Sequence, residues 1–301
     1  MKKLKKVLKI TAISLLVLVG FLFAAPYLFK PQILSLIKKE INKNLNAKVE
    51  FKDVDISFFR KFPRVALALD GLSVVGTGTF NSDTLLSAER IDAAVNIKSI
   101  ISGDHITIYS VALEKPRIHA IVNEKGESNW DIAKSDSTEP SKPGETGKPF
   151  SMELNRYEIS NGYISYVDEP GNMSAEIVNL QHEGKGDFAA NLFTLATHTK
   201  AESVNFNYGG IPYLVNTNTS IDADIQVDNQ TNKYSFKTDK ISLNQLILSS
   251  EGFFQLVNDS VYAMDIGFKA PATEFKHLLS LIPLVYKNDF QNIKTKISLK
   301  I

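Results

Sequence analysis

A run of twenty uncharged residues near the N-terminus constrains this chain more than any other feature. Residues 10–29 read ITAISLLVLVGFLFAAPYLF, and the nine residues before them contain five lysines. Twenty helical residues at about 1.5 Å each match the ~30 Å hydrocarbon core of a bilayer. Because lysines are favoured on the cytoplasmic side, the pattern predicts a single-pass transmembrane helix with a cytoplasmic N-terminus and the bulk of the chain across the membrane.

A cleaved signal peptide is the alternative interpretation of this run. Its apolar core would be about 7–15 residues long and would end at small residues. Here the run is longer, and the small pair Ala24-Ala25 is followed directly by Pro26. The sequence therefore favours an uncleaved anchor, with residues 1–30 forming the basic tail and the membrane segment.

The composition excludes several classes of function. The chain has no cysteine, which removes disulfides, thiolate metal sites and cysteine nucleophiles. Its net charge is +1, but the first nine residues alone carry five lysines, so the remainder is net acidic. Such a balance gives no electrostatic footprint for nucleic acid, and we expect no nucleic-acid partner.

The residues after the anchor predict a short helix. From Pro31 to Leu45, apolar residues recur at helical spacing with lysines between them. Such a helix fits on the bilayer interface, with its lysines toward the headgroups, or as a cap that buries its apolar stripe on a folded domain. We favour the cap.

From Ala47 onward the hydrophobic period changes from 3.6 to 2. Alternating apolar and polar residues, separated by short turn sequences, predict strands with one apolar and one polar face. No strand–helix–strand alternation occurs, so the sheet is expected to be antiparallel. The predicted fold class is mainly β, an elongated and curved antiparallel sheet with one N-terminal transmembrane helix and a few short helices.

The chain divides at a segment rich in proline. Residues 134–149 contain three prolines and no large apolar residue, which predicts a flexible linker. It would separate a β domain at 31–133 from a continuing β region at 150–301. In that region a helix is predicted from Glu274 to about Tyr286, with Thr273 as its N-cap. Because the final alternation stops in mid-pattern at Ile301, we expect an N-terminal portion of a longer protein.

No catalytic or metal motif is visible. The five histidines lack the spacing of zinc sites, and no phosphate-binding loop or nucleophile elbow occurs. The D-x-D pairs at 53–55 and 222–224 resemble the metal-binding pairs of glycosyltransferases. However, both lie in alternating strands, where residues two apart share the polar face by geometry. We expect no enzyme, no cofactor and no metal.

Several motifs, taken in their order, resemble the AsmA family of inner-membrane-anchored periplasmic proteins. The N-terminal anchor and short helix precede the most specific block, and the later motifs are similar to the version of the family in Bacteroidetes-like organisms. The motifs are FFRKFP at 58–63, FNSDTLL at 80–86, NIKSIISG at 96–103, KPRI at 115–118, NEKGESNW at 123–130, ISLN at 241–244, FKHLLSLIPLVY at 275–286 and DFQNIKT at 289–295.

The resemblance implies a long curved β-groove with an apolar inner face, akin to that of chorein-type bridge proteins, which are thought to move phospholipids between membranes. It brings no catalytic residues. The partners it implies are membrane phospholipids and the inner membrane, bound through residues 10–29. A scaffold or chaperone-like module that assists outer-membrane protein assembly, with an outer-membrane or periplasmic protein partner, is the alternative function.

One alternating set is predicted to form the inner face and to contact lipid. The pattern alone fits a closed β-sandwich equally well, because a sandwich also needs strands that are apolar on one side. The candidate lipid-facing residues are Val54, Ile56, Phe58, Val65, Leu67, Leu69, Val95, Ile97, Ile118, Ala120 and Val122.

Overall fold

The computed structural model describes residues 2–61, 64–96, 108–132, 154–188, 190–258, 261–270, 273–274 and 298–299. Within these residues one long helix is followed by strands and one short 3₁₀ helix, Gly78–Phe80, which confirms the mainly β fold class. The elements are α1 (Lys2–Asn44), β1 (Ala47–Glu50), β2 (Asp53–Lys61), β3 (Arg64–Gly76), β4 (Thr84–Val95), β5 (Ile108–Glu114), β6 (Arg117–Val122), β7 (Arg156–Asp168), β8 (Met173–Lys185), β9 (Leu192–Tyr208), β10 (Ile211–Asp228), β11 (Lys233–Leu243), β12 (Leu246–Asn258), β13 (Val261–Lys269), β14 (Thr273–Glu274) and β15 (Ser298–Leu299).

The helix α1 is continuous through the boundary at which the sequence predicted a second helix. It runs from Lys2 to Asn44, so the predicted helix over Pro31–Leu45 is its C-terminal part. Pro31 therefore does not begin a new element, and the apolar stripe that follows it continues one helix. Within the part of the chain that the structure describes, no helix combines the length and apolar character that a membrane crossing requires.

The C-terminal part of α1 packs on the first edge of the sheet. Leu34 and Leu45 pack against a buried cluster that includes Val49 and Phe51. Asn42 acts as a substitute strand: its Nδ2 donates to the Val49 carbonyl oxygen at 3.1 Å, and its Oδ1 accepts from the Val49 N–H at 2.9 Å. An unpaired edge strand is open to pairing with other chains, so this contact closes the β1 edge.

Removing this contact is expected to loosen the β1 edge. Asn42→Ala should lower the free energy of unfolding by about 1 kcal/mol, because two backbone hydrogen bonds of a half-buried strand lose their partner. Asn42→Asp serves as the control, since it keeps the acceptor for the Val49 N–H. Hydrogen exchange at Val49 should accelerate in the alanine variant and much less in the aspartate variant, and equal rates in both would contradict this role.

Thirteen strands, β1 to β13, form one sheet. β1 and β2 occupy successive segments of one position beside β3, and β5 and β6 share one position beside β4, so eleven positions lie side by side. At ~4.8 Å per position the sheet extends about 50 Å across its strands.

The sheet is mixed, whereas the sequence predicted an antiparallel one. Every pairing in it is antiparallel except that of β5 and β6 with β7, which is parallel. Parallel neighbours need a long crossover connection, and the chain from 123 to 155 supplies it. The predicted linker at 134–149 falls within this crossover but lies outside the described residues.

Left-handed backbone conformations recur near the middle of β3, β7, β8 and β10 and between β5 and β6. We name this set of residues the crease. Asparagine tolerates such a φ better than most residues, and the extra residue of a bulge bends its strand. The members are Gly71 (φ 63°), Lys115 (φ 47°), Asn161 (φ 55°), Asn179 (φ 53°) and Asn216 (φ 47°).

The crease divides the sheet into two walls. The first wall contains β2, β5 and β11 to β13, together with one half of β3, β4 and β7 to β10. The second wall contains β1, β6 and the other half of those long strands. Leu69 and Ile91 of the first wall pack in the same cluster as Leu72 and Val74 of the second. Around β3 and β4 the apolar sides of the two walls therefore share one cluster, and we call this side of the sheet the inner face.

The predicted C-terminal helix begins at a residue that the structure places in a strand. Thr273 and Glu274 form β14, in which Glu274 pairs with Ser298 of β15. Thr273 is therefore a strand residue and not an N-cap. The remainder of the helix predicted up to Tyr286 lies outside the described residues.

Candidate functional site

The inner face is buried at its first end, beside α1. Val54 is only 1% exposed, and Val65 and Val95 are buried as well. Val65 and Val95 are register partners in the first wall, and Ile56 and Leu67 pack against them. Apolar side chains here form a closed core, which stabilises the fold by removing apolar surface from water.

The described members of the predicted lipid-facing set lie on the inner face by register. Ile97 lies outside the described residues, and for Phe58 only the backbone is described. Contact with lipid stays a prediction for all of them. The placed residues are Val54, Ile56, Leu67, Leu69, Val65 and Val95 in the first wall and Ile118, Ala120 and Val122 in the second.

The second wall becomes more accessible away from α1. Ile118, Ala120 and Val122 of β6 are half-buried, unlike the valines beside α1. In register with β6, Ile164 and Tyr166 of β7 extend the same apolar surface toward β8. The inner face therefore continues as an apolar surface beyond the closed end.

The far end of the inner face is exposed. Four successive inner-face residues of β13 stand open to solvent: Tyr262 (57%), Met264 (61%), Ile266 (40%) and Phe268 (62%). We call them the exposed row. By register they continue the surface of Phe254 and its inner-face neighbours on β12. Contiguous exposed apolar surface of this kind is typical of interaction sites.

The end of the second wall explains this exposure. The second wall stops at β10, because β11 to β13 pair only with the first-wall half of the sheet. From β11 onward the first wall has no facing wall in the described part of the chain. The alternating pattern over 261–268 was visible in the sequence. Its exposure, however, depends on whether a second wall lies opposite, and a pattern within one strand does not show this.

A polar relay lies on the inner face between the closed and the exposed ends. The Tyr157 hydroxyl and His182 Nε2 are 2.9 Å apart, and His182 Nδ1 is 2.8 Å from Thr199 Oγ1. Phe188 packs edge-on against Tyr157 and contacts Phe193. A neutral imidazole that accepts from Tyr157 carries its proton on Nδ1 and donates it to Thr199. The polar atoms of these three side chains thus form hydrogen bonds with one another on an otherwise apolar wall. No pattern in the sequence predicted this arrangement.

Acidification is expected to destabilise the fold through His182. Burial lowers the pKa of His182 below its ordinary value of 6.5, and nearby His198 lowers it further. The unfolded chain therefore binds more protons, so stability falls as the pH drops below about 6.5. The urea concentration at which half of the protein is unfolded should be lower at about pH 5.5 than at about pH 7.5. This loss of stability on acidification should be smaller in His182→Gln than in wild type, whereas His119→Gln should lose as much as wild type. Equal losses in wild type and both variants would contradict the assignment to His182.

The outer face carries the charged residues. Asp222 and Asp224 pair in register with Lys240 and Lys237 across β10 and β11, and Asp222 also bonds to His198. Among the described residues no group of histidine, aspartate or glutamate side chains could hold a metal ion. The D-x-D pair of β10 is therefore a charged solvent-facing ladder in this structure.

The other D-x-D pair is also engaged by cations. Lys30 Nζ lies 2.7 Å from a carboxylate oxygen of Asp53, and Arg60 Nη2 lies 2.7 Å from Asp55 Oδ2. The pKa of Asp53 is lowered chiefly by its hydrogen bond from Lys30. These carboxylates therefore form half-exposed ion pairs, one with a lysine of α1 and one with an arginine of β2 itself.

A family model matches most of the chain. The model of the AsmA family covers residues 1–246, from α1 to the start of β12. The chain belongs to the AsmA family. Neither the curated proteins nor the solved structures contain a match to it. The AsmA match ends before β13, so the exposed row lies on the strand after the matched region.

Proposed function

We propose that this AsmA-family chain is a membrane-anchored periplasmic protein that shields phospholipid acyl chains along its inner face. It would conduct them toward the outer membrane and so contribute to lipid homeostasis there. The observation that carries the proposal is the exposed row of β13, an apolar surface without a facing wall in the described residues. No catalytic step belongs to this function.

The energetics favour an acyl chain on this surface. Each CH₂ group kept from water contributes about 0.8 kcal/mol, so a two-chain lipid outside a bilayer needs a long apolar surface. The inner face offers one, and the outer face of β13 carries Asp265 and Lys269 instead. A lipid could therefore lie on one face while its headgroup stays in water.

Anchoring to the inner membrane through residues 10–29 is part of the proposal. The uncharged sequence of this segment and the exposure of apolar side chains on it, such as Leu16 and Val17, support it. Reporter fusions at Lys142 should be active only in the periplasm. Activity confined to the cytoplasm would reverse the proposed topology.

Adjacent residues on opposite faces test the lipid contact. A photoreactive amino acid at Met264 should crosslink to phospholipid in the full-length membrane protein, and the same probe at Asp265 should not. Crosslinking is read by mass spectrometry of the isolated protein. Met264→Glu should reduce co-purified phospholipid about tenfold, because a charge on an acyl-chain surface must be desolvated.

The same experiment separates the alternative function. A scaffold for outer-membrane protein assembly would add a client strand at a sheet edge and would carry no lipid. Crosslinks from Met264 to a protein, with no phospholipid adduct at any inner-face position, would favour the scaffold. Equal lipid adducts at Met264 and Asp265 would remove the groove.

A further inference from the structure

The second wall ends in a hairpin that carries no charge. Residues 203–221 include no lysine, arginine, aspartate or glutamate, and the only longer uncharged run in the chain is that at 10–29. They cover the second-wall parts of β9 and β10 and the turn between these strands. In a chain of which 22% of the residues are charged, so long an uncharged stretch indicates a surface that avoids charge.

The end of this hairpin is tight and apolar. Gly209 (φ 58°) and Gly210 (φ 77°) form a two-residue turn in which both residues have the positive φ of a type I′ hairpin. Tyr208, Tyr213 and Val215, which lie beside the turn, are all exposed. We call these three residues and the two glycines the hairpin corner.

The hairpin corner is continuous with the inner face. The rings of Tyr213 and Phe206 contact each other, with 6.1 Å between their centroids. Phe206 is in register with Ala175 of β8, which is in register with Tyr166 of β7 on the inner face. An apolar path therefore leads from the corner onto the surface that is proposed to hold acyl chains.

The backbone edge at the corner is poorly suited to pairing with another strand. From Ile211 to Thr217, β10 pairs only with β9 among the described residues. Pro212 has no N–H to donate, and the register shifts three times between Pro212 and Thr219. Prolines and bulges of this kind protect an edge from strand addition. The partner of the corner is therefore expected to contact its side chains and not to extend its sheet.

The polar groups of the hairpin fit a boundary between water and hydrocarbon. Asn205 Nδ2 donates to Glu176 Oε2 at 2.9 Å, so this amide is already bonded within the protein. The hydroxyls of Tyr208 and Tyr213 form no hydrogen bond with any residue that the structure describes, and they can donate to an external acceptor. Glu176 and the acidic turn after β7 lie beside the hairpin, so contact with hydrocarbon is confined to the corner.

We propose that the hairpin corner inserts into the interfacial region of a phospholipid bilayer, with the rings of Tyr208 and Tyr213 at the level of the glycerol esters. Tyrosine suits this depth, because its ring is apolar while its hydroxyl can bond to ester oxygens or water. Resting on the proposed function, the corner is the place at which a lipid passes between the bilayer and the inner face.

Site-specific labelling tests the insertion directly. The chain contains no cysteine, so Tyr208→Cys can carry a single environment-sensitive fluorophore. Gln230→Cys, in the exposed turn at the other end of β10, is the matched control. The full chain is reconstituted into phospholipid vesicles with or without a nitroxide group on the acyl chains near the esters. Nitroxide lipid should lower the fluorescence of the label at Tyr208→Cys about twofold and leave that at Gln230→Cys unchanged.

Substitutions at Tyr213 separate insertion from folding. Tyr213→Asp should abolish the quenching at Tyr208→Cys, because a carboxylate at the corner must be desolvated on insertion. Tyr213→Trp keeps an interfacial aromatic ring and should retain the quenching. Thr194→Asp places the same charge at an exposed position in the first-wall half of β9 and should leave the quenching unchanged. Since both positions are exposed, the circular dichroism of all three variants should match that of wild type.

The outcomes separate the corner from the proposed function. The labelled protein in detergent, with its retained nitroxide lipid, gives the quenching that comes from lipid on the inner face. Vesicle quenching no greater than this, equal quenching at both labels, or quenching that Tyr213→Asp leaves intact overturns the membrane contact. Phospholipid crosslinks at Met264 would then still support the groove. Quenching at the corner without any phospholipid crosslink at Met264 keeps the membrane contact and overturns the groove.

Discussion

Replacing Val54 with aspartate is expected to lower the free energy of unfolding by about 4 kcal/mol or more. Val54 is 1% exposed on the inner face beside Leu69, its register partner on β3. A carboxylate there must be desolvated or must take up a proton, and both outcomes cost several kcal/mol. Urea denaturation of the full-length protein in detergent measures the loss.

The same substitution at the other end of the inner face is the control. Phe268→Asp should cost about 1 kcal/mol or less, because Phe268 is 62% exposed and its replacement stays in water. The two variants therefore differ in stability although both place a charge on one apolar face. Similar losses at Val54 and Phe268 would mean that the far end is closed as well.

The second large effect is expected at Gly252 of β12. A Cβ at this position would overlap the backbone carbonyl oxygen of Asp265 on β13. Gly252→Val should therefore separate β13 from β12, at a cost of about 3 kcal/mol, and co-purified lipid should fall with it. Hydrogen exchange of the amides at 261–269 should become fast, while exchange in β7 to β9 stays slow.

Gly267→Ala provides the matched control on the neighbouring strand. Its Cβ would meet only the Glu251 carbonyl oxygen, at an ordinary contact distance of 3.7 Å. Amide exchange at 261–269 should therefore stay close to that of wild type. Unchanged protection in Gly252→Val would show that β12 and β13 approach less closely than the structure places them.

The sequence predicted the class of fold because period-two alternation is a local property. Residues such as Val65 and Leu67 alternate with neighbours on the other face, and the strands formed as expected. The parallel pairing of β5 and β6 with β7 was not predictable. Alternation within a strand does not reveal which strand lies beside it, and the register of Leu113 with Ile159 is set by a distant crossover.

The sequence predicted which residues share the apolar face, but not which part of that face is exposed. Val54 and Met264 sit in equally regular alternating patterns, yet one is buried and the other is open. The difference comes from α1, which packs on the first edge, and from the second wall, which ends at β10. The relay of Tyr157, His182 and Thr199 depends on three strands, so no spacing within one segment indicated it.

The side-chain amide of Asn42 blocks the edge of the sheet at β1. By bonding to both backbone groups of Val49, it occupies the position of a further strand beside β1. A hairpin added next to β13, during evolution or by design, would extend the ladder and lengthen the apolar surface by about 10 Å. A sheet of this kind can be lengthened by strands added beside β13, while the end that packs against α1 keeps its structure.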